Sequence, residues 1–209
     1  DSLEGVGRYV ELMLNLFRSI SSWHRYLSLT IEHMFQIGIL SIPIVILTSL
    51  FSGMVTSVQA AYQFESGLIP NWYVGGIVGD SVLLELAPML TALVMTGRVG
   101  ATIAAEIGTM RVTEQIDALI TLSTNPFKYL VAPRLFASVL MLPILVLVAD
   151  IIGVFGGYIV SIQKLGLNPS IYLHKTILFL EPFDIVSGLI KAGVFGFIVC
   201  NGYMARPTN

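Results

Sequence analysis

The feature that most constrains this chain is a set of long apolar runs separated by short polar segments. The run over residues 35–62 contains 28 residues without one charged side chain. About 20 apolar residues in a helix cross the hydrocarbon core of a bilayer, where lipid-exposed irregular backbone is not tolerated. Residues 76–107, 134–162 and 182–204 are similar runs with few charges. The pattern predicts an all-α polytopic membrane protein with four transmembrane helices in a single domain, 1–209.

The composition agrees with a membrane protein and excludes several function classes. Only 11% of the 209 residues are charged, against about 25% in soluble domains. A net charge of −2 without a basic run predicts no nucleic-acid partner. There is no Gly-Lys pair, so the chain has no P-loop, and its three histidines are scattered. We therefore predict no enzyme, no metal site and no cofactor bound by this chain.

The N-terminal segment, residues 3–33, differs from the four runs. Its apolar side chains recur at helical spacing with polar ones between them, and Trp23 and Tyr26 follow. This pattern predicts an amphipathic helix lying in the membrane surface. The alternative is an ordinary helix packed on the rest of the protein.

The stretch from Glu85 to Pro133 carries charged side chains between the apolar runs. Glu85 lies inside an apolar run, and Pro88 follows it within one turn. A carboxylate at such a depth is costly, and the nearby proline predicts a broken or kinked helix beside a cavity. Pro43 predicts a similar kink in the first span.

Residues 108–127 mix charged and apolar side chains at helical spacing. We expect an amphipathic helix outside the membrane, ending at Asn125-Pro126. A helix that docks on a soluble partner fits this mixture best. A solvated connecting helix and a second surface-lying helix are the alternatives.

Three charged side chains lie within the predicted spans: Glu85, Asp150 and Lys191. One interpretation is structural, with Lys191 paired to Asp150 or Glu85 so that each charge lowers the desolvation cost of the other. The other is a polar pathway for a headgroup or a proton. The second interpretation supports an alternative function, a proton- or ion-coupled secondary transporter that uses these three residues.

The basic residues are distributed unequally between the two sides of the predicted spans. Lys164 and Lys175 lie on one side, Lys191 is within a span, and eight lie on the other side. The eight are Arg8, Arg18, Arg25, Arg98, Arg111, Lys128, Arg134 and Arg206. Because cytoplasmic loops are enriched in Lys and Arg, we expect the N-terminus and the helix at 108–127 to be cytoplasmic.

Several motifs of the chain resemble one known family. The motifs are ELAP at 85–88, GRVGATIAAEIGTMRVTEQIDAL at 97–119, NP at 125–126 and APR at 132–134. Together they resemble the MlaE/YrbE-type permeases of Mce systems. Members of that family usually continue past NGY, here at 201–203, into a fifth span, which is absent from the 209 residues.

The resemblance implies the membrane subunit of an ABC-type phospholipid transporter. It would be a homodimer in the inner membrane of a Gram-negative-type cell, moving lipid between that membrane and the outer envelope. ATP and Mg would bind to a separate cytoplasmic ATPase subunit, and a ring of MCE-domain proteins would sit on the outer side.

The resemblance also implies roles for individual residues. Those expected in the segment that couples to the ATPase are Glu106, Arg111, Glu114, Gln115 and Asp117. Those expected near the lipid cavity and along the lipid path are Gln59, Glu85, Leu86, Met54, Val58, Phe64 and Lys191.

Overall fold

The computed structural model describes residues 27–64, 73–115, 118, 121 and 126–204, and the described residues are almost entirely helical. The helices are α1 (Leu27–Ile37), α2 (Ile42–Phe64), α3 (Val74–Ser81), α4 (Ala87–Val112), α5 (Pro126–Gln163), α6 (Pro169–Phe179) and α7 (Pro182–Met204).

Four helical stretches are long and apolar enough to cross a membrane. They are Leu27–Gln63, Val74–Val112, Tyr129–Gln163 and Pro182–Gly202. The predicted all-α polytopic fold with four spans is therefore confirmed. Most of the predicted surface helix at 3–33 lies outside the described residues. Residues 27–33 form the first part of α1, which packs on α5.

Helix α5 is the centre of the bundle, because it contacts every other helix in the described part of the chain. Its buried side chains are small or aliphatic, and Ala137, Val146 and Ala149 have no exposed surface. Lipid tails are as apolar as these side chains, so close packing rather than escape from water stabilises such contacts.

The helix is irregular just before Pro43 and just before Pro88, the two positions at which the sequence predicts kinks. A proline has no N–H, so the carbonyl four residues before it loses its helical donor. Before Pro43, a 3₁₀ turn at Ile39–Ser41 lets the N–H of Ile42 donate to the Ile39 carbonyl instead. Before Pro88, a π-helical segment at Val82–Leu86 lets the N–H of Ala87 donate to the Val82 carbonyl. Irregular helical geometry is thus present before both prolines, where the sequence predicts kinks.

Small residues bring α2 and α5 into backbone contact. A Cβ added to Gly53 would overlap the carbonyl of Gly153, and one added to Gly156 would overlap the carbonyl of Leu50. One and two turns further along, the hydroxyls of Ser57 and Ser161 are 2.8 Å apart and buried. The glycines therefore allow a close contact between α2 and α5.

The bounds of the helix predicted at 108–127 are wrong at its start. Helix α4 continues through Gly108 to Val112, and a turn at Thr113 and Glu114 follows, with Glu114 in the left-handed region at φ 56°. One glycine costs a helix about 1 kcal/mol, which the long helix α4 tolerates. Of residues 116–125, only 118 and 121 are described.

The helix that contains the third predicted span, 134–162, begins before that span. Helix α5 begins at Pro126, where a missing N–H costs nothing, and runs through Pro133 and Pro143. The flanking residues Ala132 and Leu135 are buried, so tertiary packing maintains the helix across Pro133.

Helix α6 packs against a glycine face of α3. Thr176 Oγ1 donates to the Gly75 carbonyl at 2.9 Å, and a Cβ on Gly79 would lie 2.9 Å from Thr176 Cγ2. Tyr172 is only 1% exposed, and burial raises the pKa of its phenol. One face of α6 is thus held inside the bundle, while its other face is exposed.

Candidate functional site

A groove of about 720 Å³ lies between α2 and the helical stretch that runs from α3 into α4. Its lining residues are Leu47, Thr48, Phe51, Ser52, Val55, Thr56, Gln59, Ala60, Gln63, Ile77, Ser81, Glu85, Leu86, Leu90 and Val94. The residues from α2 recur three or four positions apart, so they form one stripe along the helix. The size lies within the range of about 300–1,000 Å³ that is usual for ligand clefts.

The groove is polar at one end and apolar at the other. The amide groups of Gln59 and Gln63, with Ser81 and Glu85, lie toward the loop that joins α2 to α3. Leu47, Phe51, Leu90 and Val94 line the opposite end. The Thr48 and Thr56 hydroxyls donate to carbonyls of their own helix, which removes much of their polarity from the groove. The groove therefore matches an amphipathic ligand.

The irregular segment before Pro88 determines where Glu85 lies. Glu85 belongs to the π-helical segment Val82–Leu86 and is exposed, whereas Val82 and Leu83 are buried against the bundle. A π-helical segment widens the helix locally and changes the direction of the following side chains. The carboxylate is thereby presented to the groove.

The structure brings together some of the residues predicted near the lipid cavity and separates others. Gln59, Glu85 and Leu86 line the same groove. Met54 and Val58 are half-buried residues of α2 outside the stripe that lines it. The side chain of Phe64 lies outside the described residues.

Lys191 has a different partner from those expected. Its Nζ donates to the backbone carbonyl of Leu84 at 2.7 Å. Across the residues that the structure describes, no ion pair joins Lys191 to Asp150 or Glu85. Asp150 is 7% exposed, and its Oδ1 has no hydrogen-bond partner among the described residues. The structural pairing considered from the sequence is therefore not formed.

Glu106, expected in the coupling segment, forms an ion pair with Arg134 of α5. Arg111, Glu114 and Gln115 lie at the end of α4 or in the turn after it and are exposed. Asp117 lies outside the described residues. The exposed end of α4 is thus available to a partner, while Glu106 joins α4 to α5.

The polar junction around Arg134 is not among the features predicted from the sequence. Arg98 donates to the Ser41 hydroxyl, and His33, Arg98 and Glu106 surround a cavity of about 20 Å³ together with Arg134. Such a volume is enough for about one water molecule. Arg98 and Arg134 each lie at an apolar run. This sequence feature could have predicted the junction, because a buried guanidinium needs a partner.

A second groove, of about 530 Å³, lies between α4 and α7. Its lining residues are Met89, Ala92, Leu93, Thr96, Phe195, Ile198, Val199 and Gly202. Thr96 is the one polar side chain among them, and its hydroxyl donates to the Ala92 carbonyl. This groove has no polar end, which distinguishes it from the groove that contains Glu85.

Comparisons with known proteins extend over nearly the whole chain. The family model described as "Permease MlaE" matches residues 30–204. A probable ABC transporter permease protein of Rickettsia bellii is 47% identical over 196 residues, which are 94% of this chain and 75% of the relative. The Arabidopsis thaliana protein TRIGALACTOSYLDIACYLGLYCEROL 1, chloroplastic, is 35% identical over 190 residues, 90% of this chain and 53% of the relative. The intermembrane phospholipid transport system permease protein MlaE of Haemophilus influenzae is 30% identical over 217 residues, 100% of this chain and 82% of the relative.

Proposed function

Because the chain belongs to the MlaE permease family, we propose that this ABC transporter permease moves phospholipid, driven by ATP hydrolysis on a separate subunit. The chain itself is a multi-pass membrane subunit and not an enzyme. Two copies form the transporter in the inner membrane of a Gram-negative-type cell. The family favours this function over an ion-coupled transporter.

The amphipathic groove beside Glu85 supports phospholipid as the substrate. A phospholipid has a polar headgroup at one end and acyl chains at the other, and the groove has the same arrangement. Gln59, Gln63 and Ser81 would hydrogen-bond a headgroup, while Phe51, Leu90 and other aliphatic groups contact the acyl chains. The Haemophilus influenzae relative is named for phospholipid transport between membranes.

The distribution of charge supports an orientation for the chain. Arg98, Arg111 and Arg134 lie toward one end of the bundle, and Lys164 and Lys175 lie toward the other. By the positive-inside rule, the N-terminus and the turn after α4 are cytoplasmic. The polar end of the groove then faces the outer side, where a ring of MCE-domain proteins would receive or deliver the lipid.

Helix α4 connects the two regions that a transporter must couple. Leu90 and Val94 of α4 line the groove, and the same helix ends at Val112 beside the exposed Arg111 and Glu114. We infer that the ATPase, with its ATP and Mg, docks on this exposed end. A displacement there would be transmitted along a continuous helix to the groove.

Native mass spectrometry of the complex, purified from its own membranes by a tag on this chain, tests the proposal. Val55→Trp and Leu90→Trp would fill the apolar part of the groove. Ile151→Trp is the matched control, because Ile151 is an exposed apolar residue of α5 outside both grooves. We expect lipid adducts on the unmodified protein and the control, fewer on the two groove variants, and an ATPase subunit in every sample.

Two results would contradict the proposal. One is lipid retention that is the same in the groove variants and in the control. The other is a complex without a nucleotide-binding subunit whose lipid movement in vesicles does not depend on ATP.

A further inference from the structure

The carbonyl of Leu84 is the starting point, because it lies four residues before Pro88. In a regular helix this carbonyl would accept a hydrogen bond from the N–H of residue 88, which a proline lacks. Lys191 of α7 supplies a donor instead, with its Nζ 2.7 Å from the Leu84 oxygen. A side chain from a neighbouring helix therefore takes the place of a missing backbone donor.

The approach of α7 to this segment depends on a glycine one turn before Lys191. A Cβ added to Gly188 would lie 3.0 Å from the Leu83 carbonyl oxygen and 3.6 Å from Pro88 Cγ. A side chain at position 188 would require α7 or the π-helical segment to shift by a few tenths of an ångström. Gly188 thus allows the close contact in which Lys191 reaches Leu84.

Glu85 is the residue next to the carbonyl that Lys191 contacts. The carboxylate lines the groove, whereas the ammonium group forms no ion pair with it in the described part of the chain. The two charged groups therefore have different surroundings at the same helical segment. Lys191 contacts its backbone from α7, and Glu85 projects from it toward α2.

We propose that Lys191 is a positioning residue that maintains the π-helical segment and thereby directs Glu85 into the groove. The hydrogen bond from Lys191 to Leu84 compensates for the donor that Pro88 removes. Because Lys191 belongs to α7, the direction of Glu85 then depends on the position of α7. A shift of α7 away from α4 would release the segment and change the polar end of the groove. The consequence for lipid rests on the proposed function, whereas the positioning itself does not.

This role differs from that of a polar group along the lipid path, and a double-mutant cycle separates the two. Pro88→Ala restores an N–H that can donate to Leu84. If Lys191 compensates for the proline, Lys191→Met should be costly with Pro88 present and much less costly with Ala at position 88. If Lys191 acts on the lipid, the two effects should be independent.

The first measurement is the melting temperature of the full-length chain, heated in its own membranes. The melting temperature is obtained from the fraction of the chain that remains soluble in mild detergent after heating. Lys191→Met should lower it by about 3–6 °C, in line with the loss of one hydrogen bond to a charged group. In the Pro88→Ala background the same substitution should cost less than half as much. Val194→Met, at an exposed position one turn further along α7, is the control and should show no dependence on residue 88.

The second measurement follows the direction of position 85. A cysteine is introduced as Glu85→Cys in a Cys200→Ala background, and its reaction with a membrane-impermeant maleimide is timed. Lys191→Met should change this rate severalfold, and Lys191→Arg, which keeps a donor, should leave it close to the parent value. Lipid retention in the native mass spectrum is recorded in parallel, so that a failure of the lipid proposal is distinguishable from a failure of this one.

Additive costs in the cycle, or a labelling rate that Lys191→Met leaves unchanged, would overturn the inference. If Lys191→Met does not accumulate in the membrane, accumulation becomes the readout. Pro88→Ala must then restore it, and the absence of rescue would also overturn the inference.

Discussion

Glu106 and Arg134 form an ion pair that joins α4 to the first part of α5, and the two side chains differ in exposure. Arg134 is 3% exposed, and Glu106 is 32% exposed. The ion pair lies between the groove and the exposed turn at the end of α4. It therefore holds together the two helices through which a displacement of that turn would pass.

The first prediction concerns the unequal cost of removing the two partners. Glu106→Ala leaves a buried guanidinium without its carboxylate and should lower the free energy of unfolding by about 3 kcal/mol or more. Arg134→Met removes the buried charge, keeps much of the volume and leaves Glu106 free to hydrate, so it should cost less. Thermal unfolding of the two variants measures the order, and a larger loss for Arg134→Met would contradict this account.

The second prediction concerns the contact of Gly53 with Gly153. Gly53→Ala places a methyl group on a backbone carbonyl, and overpacking of this kind costs about 1–3 kcal/mol. Gly97→Ala is the matched control, because an added Cβ there meets no atom of the described residues within 4 Å. A helical glycine replaced by alanine in open space should stabilise the chain slightly. Equal melting temperatures for the two variants would show that α2 and α5 are not in close contact.

The third prediction concerns the hydrogen bond between Ser57 and Ser161. Each hydroxyl lies in a helix and can donate to a carbonyl of its own helix when its partner is lost, so single alanine substitutions should cost little. The coupling free energy from the double-mutant cycle should be about 0.6 kcal/mol, as is usual for hydrogen bonds between membrane helices. Thr102→Ala, at an exposed hydroxyl that bonds its own helix, provides the baseline. A coupling of zero would indicate that the two hydroxyls do not interact.

The fourth prediction concerns the pH dependence that Tyr172 contributes. Burial raises the pKa of its phenol above the usual value of about 10. The unfolded chain then loses this proton at lower pH than the folded chain, so the stabilisation is complete below about pH 10 and declines above it. Tyr172→Phe should be nearly neutral at pH 7 and should retain more of its stability between about pH 10 and 11. Parallel curves for the two proteins in that range would contradict the burial of the phenol.

Much of the fold could be predicted from the sequence because it depends on local features. Apolar length indicates the spans, and Pro43 and Pro88 indicate the two irregular turns, since a missing N–H acts within four residues. Local features were insufficient to predict the exact bounds of the long helices. Gly108 does not end α4, and Pro133 does not begin α5, because packing of the longer helices outweighs a single unfavourable residue.

The structure brings some of the residues named from the sequence into one groove and leaves others outside it, for a geometrical reason. Gln59 and Glu85, which the family resemblance places near a lipid cavity, line the same groove. Met54 and Val58 do not line it, although they are adjacent to the lining residues Val55 and Gln59 in sequence. One residue along a helix turns the side chain by about 100°, so the phase of α2 against α4 decides which residues line the groove.

The sequence alone determined that this chain spans a membrane several times, resembles the MlaE-type permeases in its motifs and carries charges within its spans. Only the tertiary structure decided the partners of those charges. Glu106 pairs with Arg134, Lys191 bonds the Leu84 carbonyl, and Asp150 has no ion-pair partner among the described residues. The physical reason is the short range of these contacts. A hydrogen bond requires two atoms from distant parts of the chain to come within about 3 Å, and the packing of glycines against neighbouring helices sets that distance.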